Sequence, residues 1–176
     1  DRTGAWLRRK SLRPWAKRAH LVCTAARSYR AGSAHYPSRM LRSAEVMHTT
    51  VGDIDVAYNT LGEASDPPVV LISGLGAQLI AWDDAFCQEL VDRGLFVIRF
   101  DNRDIGLSSH LAERPTSDPS AEADGAAPEA CYTLAQMAAD TAGLIDNLGL
   151  GSAHVVGISL GGMIAQTIAI EHPSRV

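Results

Sequence analysis

The sequence has 176 residues, of which 46% are hydrophobic and 20% are charged, and its formal net charge is −4. This composition excludes a wholly disordered or collagen-like chain, and the length is enough to bury one sizeable core. The three cysteines, Cys23, Cys87 and Cys131, are odd in number and widely spaced, so they form neither a disulfide framework nor a zinc-binding pattern and predict a reducing compartment. The uncharged apolar stretch over residues 155–170 is shorter than the ~20 residues that a membrane span needs, so no membrane span is predicted.

Charge is divided sharply between residues 1–47 and residues 48–176. The first segment holds 11 of the 16 basic residues and only 2 of the 20 acidic ones, a net charge of +9 against −13 for the remainder. Three interpretations of this basic segment stay open: a transit peptide, an arm that binds nucleic acid or anionic lipid, or sequence outside the mature protein. The chain begins with Asp, and both Met40 and Met47 precede the first regular pattern. We expect residues 1–47 to lie outside the fold and residues 48–176 to form the domain.

The first elements predicted in that domain are strands and a helix. Val51–Leu61 partly alternate between apolar and polar side chains, which indicates one or two half-buried strands. Val69–Ile72 form a continuous aliphatic run, which is typical of a strand buried on both faces of a parallel sheet. A helix is predicted over residues 82–92, and a second buried strand over Leu95–Phe100.

The later elements continue this alternation of strands and helices. Thr133 and Gln136 stand three residues apart before an apolar periodicity and predict a capping box at the start of a helix. The alternation predicts an α/β fold with a mainly parallel sheet that helices cover on both faces. The predicted later elements are an exposed loop at 112–130, a helix over 134–148, a strand over 153–157 and a helix from 160 to about 171.

A Gly-x-Ser-x-Gly motif lies between the third buried strand and the last helix, at Gly157, Ser159 and Gly161. In this context it is typical of a nucleophile elbow, a tight strand-to-helix turn that exposes the serine hydroxyl, with glycines where other side chains would clash. The helix N-terminus adds free N–H groups and the positive end of the helix dipole. We predict Ser159 as a catalytic nucleophile. The alternatives are a structural serine in a glycine-rich turn and a phosphate-binding loop, which the missing Lys-Ser/Thr pair disfavours.

Acyl transfer develops an oxyanion, which two N–H donors stabilise. One donor is expected from the residue after the nucleophile, Leu160, and the other from the loop after an earlier strand. Ser73-Gly74-Leu75-Gly76 follows the first buried strand, so the N–H of Leu75 is the predicted second donor of an oxyanion hole. A plain turn could have the same sequence, so the assignment of Leu75 as a donor depends on Ser159 being the nucleophile.

Three segments together resemble the N-terminal half of an α/β-hydrolase: VVLISGLGAQLIAW, FVIRFDNRDIGLSS and HVVGISLGGMIAQTIAIEHPSRV. The pair DNRDIGLSS and GISLGGMIAQ resembles the aclacinomycin methylesterase-like branch and, more distantly, the enol-lactonase and haloperoxidase-like branches. The resemblance extends from about Val51 to Val176 and implies a serine hydrolase that acts on esters or lactones. Ser73 departs from the family, where His often precedes the Gly, whereas Ser108 matches a usual turn serine. Asn102–Asp104 are expected to brace the loop beside the site.

The catalytic residues of this fold follow the chain order Ser, then Asp or Glu, then His. After Ser159 the sequence supplies Glu171 and His172, at the far end of the predicted helix and roughly 20 Å from the serine at about 1.5 Å per residue. His154 is expected to pack or cap, and His110 to be a loop residue. We therefore expect the catalytic Asp and His to be absent from these 176 residues, the hydrolase domain to be C-terminally truncated, and the isolated chain to be inactive and poorly stable.

Several functions stay open. A serine esterase or lactonase with a small-molecule substrate is favoured, against a non-catalytic binding protein of the same fold, a truncated product without function, or a nucleic-acid- or membrane-associated protein that depends on residues 1–47. A dehalogenase or epoxide hydrolase is disfavoured because position 159 is Ser. No cofactor or metal site is predicted, because the six histidines are scattered singly. A cytoplasmic location is expected, or an organelle if residues 1–47 are a transit peptide.

Overall fold

The structure is a computed structural model that describes residues 44–111 and 131–176. The predicted loop at 112–130 and almost all of the predicted basic segment lie outside the described residues. The elements of the described part are β1 (Met47–Val51), β2 (Ile54–Leu61), β3 (Pro68–Ile72), α1 (Asp84–Val91), β4 (Phe96–Phe100), α2 (Leu134–Asn147), β5 (His154–Gly157) and α3 (Leu160–Glu171), with 3-10 turns at Leu79–Ala81 and Pro173–Arg175.

The strands form one sheet in the order β1-β2-β4-β3-β5. β3 pairs in parallel with β4 and β5, while β2 is antiparallel to both β1 and β4. Four of the five strands in this sheet therefore point in one direction and only β2 is reversed, which confirms the predicted mainly parallel sheet. The carboxyl ends of β3, β4 and β5 meet at one edge, where ligands bind in open α/β sheets.

Helices cover both faces of the sheet, as predicted. Val70 and Ile72 of β3 pack in the larger apolar cluster with α2 and α3, whereas Val69 and Leu71 pack in a smaller cluster with Cys87 of α1. All four β3 side chains are at most 3% exposed, so each contributes about 1.5–3 kcal/mol relative to the exposed side chain. This double burial explains why the strand is aliphatic without alternation.

The starts of two elements differ by two or more residues from the sequence-based prediction. β1 begins at Met47, which pairs with Tyr58 of β2, whereas the alternation of apolar and polar residues in the sequence begins only at Val51. The sequence gives no alternation there because β1 is an edge strand with polar residues on it. Helix α1 begins at Asp84, because the carboxylate of Asp83 caps it by accepting the N–H of Ala85 at 2.8 Å.

The capping box at the start of α2 has the predicted geometry. The hydroxyl of Thr133 accepts the N–H of Gln136 at 3.2 Å, and the side-chain oxygen of Gln136 accepts the N–H of Thr133 at 2.8 Å. Two of the N–H groups that a helix start leaves without a partner are thereby satisfied. The box fixes where α2 begins and so which of its side chains face the sheet.

Candidate active site

Ser159 occupies the turn between β5 and α3. Its backbone angles are φ 55° and ψ −119°, and its side chain is exposed. Positive φ is uncommon for a residue with a Cβ, and only Asp104 shares it among the described non-glycine residues. Such strain persists where the surrounding structure enforces it, and it clusters at functional sites. The motif thus lies at a strained strand-to-helix turn, and the role of Ser159 as a nucleophile stays a prediction.

The two motif glycines are required by close packing. A Cβ on Gly157 would overlap the carbonyl of Gly161, on the first turn of α3. A Cβ on Gly161 would overlap the carbonyl of Ile72 and would lie 2.8 Å from the carbonyl oxygen of Ser73. The elbow is thus pressed directly against the end of β3, and any side chain at either position would push it away.

Residues 73–79, which we call the oxyanion loop, lie beside the serine. A Cβ placed on Gly74 would be 3.4 Å from the Cβ of Ser159, so the loop lies directly beside the elbow. The next residue, Leu75, has a side chain that is 81% exposed. Neither the N–H of Leu75 nor that of Leu160 donates a hydrogen bond to another described residue. Within residues 44–111 and 131–176 both N–H groups therefore lack an acceptor, and that of Leu160 lies at the positive end of the α3 dipole.

The turn after β4, residues 101–111, contacts the oxyanion loop through Asp101 and Asn102. The carboxylate of Asp101 accepts the N–H of Leu79 at 2.6 Å with one oxygen and that of Leu107 at 2.9 Å with the other. The side-chain amide of Asn102 donates to the carbonyl oxygen of Ser73 at 3.3 Å. Sequence reasoning singled out Asn102 but not Asp101. The only available signal was a run of polar residues directly after a buried strand.

Arg103 joins the same turn to α2. Its guanidinium donates two hydrogen bonds of 2.7 Å to the carboxylate of Asp140 and lies 5.4 Å from the centre of the Tyr132 ring. The hydrogen bond to Asp140 raises the pKa of Arg103, so the guanidinium stays charged although it is buried. Burial and the nearby Asp104 carboxylate raise the pKa of the Tyr132 phenol above its ordinary value of 10.0. The turn is therefore fixed on two sides, by the oxyanion loop and by α2.

The histidines of the described segments are dispersed. His48 bonds to Asp55 at 2.7 Å on the exposed N-terminal hairpin, and His110 bonds to the carbonyl oxygen of Gly106 at 3.1 Å. His154 is exposed at the start of β5, and His172 caps the far end of α3. The 12 residues of α3 separate His172 from Ser159, a rise of about 18 Å. His172 is thus remote from the serine.

Within residues 44–111 and 131–176, no three or more His, Cys, Asp or Glu side chains come together in a way that could hold a metal ion. In the same ranges, no helix combines the length and the apolar character needed to cross a membrane.

Comparison with known proteins identifies the family. The family model for the alpha/beta hydrolase fold matches residues 67–176. The chain belongs to the α/β-hydrolase family. This confirms the resemblance drawn from the sequence, and it accounts for the elbow, the mainly parallel sheet and the two helical layers with one architecture.

Individual relatives are also similar to this α/β-hydrolase chain. It is 34% identical to rhodomycin D methylesterase of Streptomyces peucetius over 142 residues, which are 80% of this chain and 40% of that protein. It is 30% identical to 3-oxoadipate enol-lactonase 2 of Acinetobacter baylyi over 128 residues, 72% of this chain and 40% of that protein. A solved alpha/beta hydrolase fold protein from Chitinophaga pinensis superposes with a TM-score of 0.61 and 29% identity, over 76% of this chain and 42% of that one. The chain spans about 40% of the length of the curated relatives it matches.

Proposed function

We propose that this chain carries the nucleophile and the oxyanion hole of a serine hydrolase that cleaves carboxylic esters or lactones. The observation that carries the proposal is the strained, exposed Ser159 at a strand-to-helix turn that the oxyanion loop contacts. The similarity to a methylesterase and an enol-lactonase supports esters and lactones as the substrate class. Leu75 follows Gly74 in the oxyanion loop and Ile158 precedes Ser159 in the chain, and their exposed apolar side chains suit a small molecule with an apolar portion.

The proposed reaction has two steps. The Ser159 hydroxyl attacks the ester carbonyl and loses its proton to a histidine, while the N–H groups of Leu75 and Leu160 stabilise the oxyanion. The carbon–oxygen bond to the alkoxy group then breaks, the histidine protonates that group, and an acyl-serine is left. Water, deprotonated by the same histidine, then attacks the acyl-serine; the bond between the acyl carbon and the Ser159 oxygen breaks, the histidine returns its proton to that oxygen, and the acid is released. For a lactone, the alcohol and the acid are parts of one product.

We propose that the catalytic acid and histidine are contributed by polypeptide outside the 176 residues. The chain order Ser, acid, His of this fold and the remote position of His172 support this. We expect the isolated chain to hydrolyse a p-nitrophenyl ester no faster than its Ser159→Ala variant does. Turnover that is abolished by Ser159→Ala would show that the chain has an activating base of its own.

A chimeric enzyme tests the proposal directly. Residues 44–176, which include the whole of β1, are joined to the part of the Streptomyces methylesterase that follows its matched segment. We expect that part to supply the acid and the histidine, because they follow the serine in the chain order of this fold. We expect p-nitrophenyl ester hydrolysis that falls by at least ~10³-fold in Ser159→Ala. The matched control is Ser152→Ala, which alters another exposed serine of the described residues and should keep the activity.

The chimera also separates the proposal from its rival. If circular dichroism shows a folded chimera whose hydrolysis is unchanged by Ser159→Ala, Ser159 is not the nucleophile. A folded chimera without hydrolysis would favour a non-catalytic binding protein of the same fold.

The cysteines bear on the cellular location. Cys87 and Cys131 are both free thiols, which supports a reducing compartment, and we propose the cytoplasm.

A further inference from the structure

We infer that Asp101 and Asn102 are positioning residues for the reaction, because they hold the oxyanion loop at both of its ends. The inference rests on the proposed function. Asp101 accepts the N–H of Leu79, and Asn102 donates to the carbonyl of Ser73. Ser73 and Leu79 are the first and last residues of the loop, and Leu75 lies between them in the sequence. The donor proposed for the oxyanion therefore lies in a segment whose two ends are fixed by adjacent residues of one turn.

The two anchoring side chains are themselves rigidly held. Asp101 is 2% exposed and Asn102 is 4% exposed. The carbonyl of Asp101 accepts the hydroxyl of Ser108 at 2.6 Å, and that hydroxyl accepts the N–H of Ala57 in β2 at 2.9 Å. The backbone N–H of Asp101 also bonds to the carbonyl of Ala57 at 2.9 Å. The anchor of the oxyanion loop is therefore continuous with the centre of the sheet.

The loop has little internal hydrogen bonding that could replace these anchors. Within it, the N–H of Ala77 bonds to the carbonyl of Gly74 at 3.2 Å, and the hydroxyl of Ser73 bonds to the carbonyl of Gln78 at 3.4 Å. Both bonds are long, as is the 3.3 Å bond from Asn102 to Ser73, so Asp101 is the stronger of the two anchors. The shortest bond made by the loop is the one from Leu79 to the charged carboxylate of Asp101 at 2.6 Å, and bonds to ionised acceptors are about twice as strong as neutral ones.

Position matters here because the loop faces the reacting atoms. Gly74 lies beside Ser159, because a Cβ added to it would be 3.4 Å from the Cβ of Ser159, so a shift of the loop moves the N–H of Leu75 relative to the hydroxyl oxygen. Misplacement of a catalytic group by about 1 Å can cost ~10²-fold in rate, and loss of one oxyanion donor costs ~10²–10³-fold. Because the donor acts on the oxyanion, the loss appears in kcat more than in KM.

The test uses isosteric variants. Asn102→Asp keeps the shape of the side chain but replaces the N–H donor to Ser73 with an oxygen, and Asp101→Asn removes one of the two acceptor oxygens. The matched control is Asn147→Asp, because the amide of Asn147 also donates to a backbone carbonyl, that of Thr50 at 2.7 Å. That bond lies at β1, three strands away from β3 in the sheet.

Two measurements are made. In the chimeric enzyme, we expect Asn102→Asp and Asp101→Asn to lower kcat by about 10–100-fold with KM changed less than about 3-fold, and Asn147→Asp to leave both unchanged. In the 176-residue chain, amide hydrogen exchange at residues 77 and 79 should quicken at least ~10-fold in both anchor variants while the amides of β3 and β4 keep their protection.

The outcomes separate this inference from the function on which it rests. Unchanged exchange at residues 77 and 79, or unchanged kcat in both anchor variants of an active chimera, overturns the positioning role. A chimera whose activity ignores Ser159→Ala overturns the proposed function instead, and the exchange measurement on the chain still decides whether Asp101 and Asn102 hold the loop.

Discussion

Replacing Asp140 by alanine is expected to lower the free energy of unfolding by about 3–5 kcal/mol. The carboxylate accepts two hydrogen bonds of 2.7 Å from Arg103, whose side chain is only 5% exposed. Its removal leaves a buried charge without its main partner. Asp53 is 3.9 Å from the guanidinium but 78% exposed, so water screens it, and the Tyr132 ring supplies only a weaker cation–π attraction.

The assay is urea unfolding of the chain, followed by far-ultraviolet circular dichroism and analysed by linear extrapolation. Glu89→Ala is the control, because Glu89 pairs with Arg93 at 2.6 Å on the surface, where the two side chains are 41% and 64% exposed. The expected loss in the free energy of unfolding is at most about 1 kcal/mol. The double variant Arg103→Met/Asp140→Leu, which removes both charges, should recover most of the loss. Equal costs for Asp140→Ala and Glu89→Ala would refute the reasoning, because burial would then make no difference.

Four further predictions concern single positions. Gly161→Ala should lower the free energy of unfolding by about 1–3 kcal/mol or more, because the added Cβ would overlap backbone atoms. Gly162→Ala is the control: its Cβ would be 3.4 Å from its nearest neighbour, so the change should be neutral or stabilising in thermal unfolding. Thr133→Ala should cost about 1 kcal/mol through the lost capping box, and full stability in thermal unfolding would contradict the cap. Burial raises the pKa of the Cys87 thiol above 9.0, so the unfolded state loses its proton first and stability should fall as pH rises through about 9, less so in Cys87→Ala. In the native chain iodoacetamide should modify exposed Cys131 and spare Cys87, as peptide mass mapping would show.

The parts of the fold that follow from local pattern could be predicted from the sequence. The aliphatic run of β3, the capping box at Thr133 and the Gly-x-Ser-x-Gly turn each have a physical cause within a few residues of chain. The motif also implies the strain at Ser159, because a turn that tight leaves no ordinary backbone conformation for the middle residue.

What could not be predicted depends on contacts between distant residues. Arg103 and Asp140 are 37 residues apart, and nothing in either neighbourhood marks them as partners. The bond from Leu79 to Asp101 spans 22 residues and depends on the parallel pairing of β3 with β4, which the sequence implies only as a class of sheet. The edge strand β1 lacks an alternating pattern for the same reason: its pairing with β2, rather than its own composition, makes it a strand.

The backbone of Ser159 has a consequence for how the gene could change. A glycine adopts φ 55° without steric cost, so Ser159→Gly would relieve strain of order 1–3 kcal/mol while it removes the hydroxyl. Folding and the proposed hydrolysis therefore make opposite demands on this one codon. In a lineage released from selection for that activity, drift toward glycine at this position would make the protein more stable, so loss of the proposed nucleophile would leave no folding defect behind.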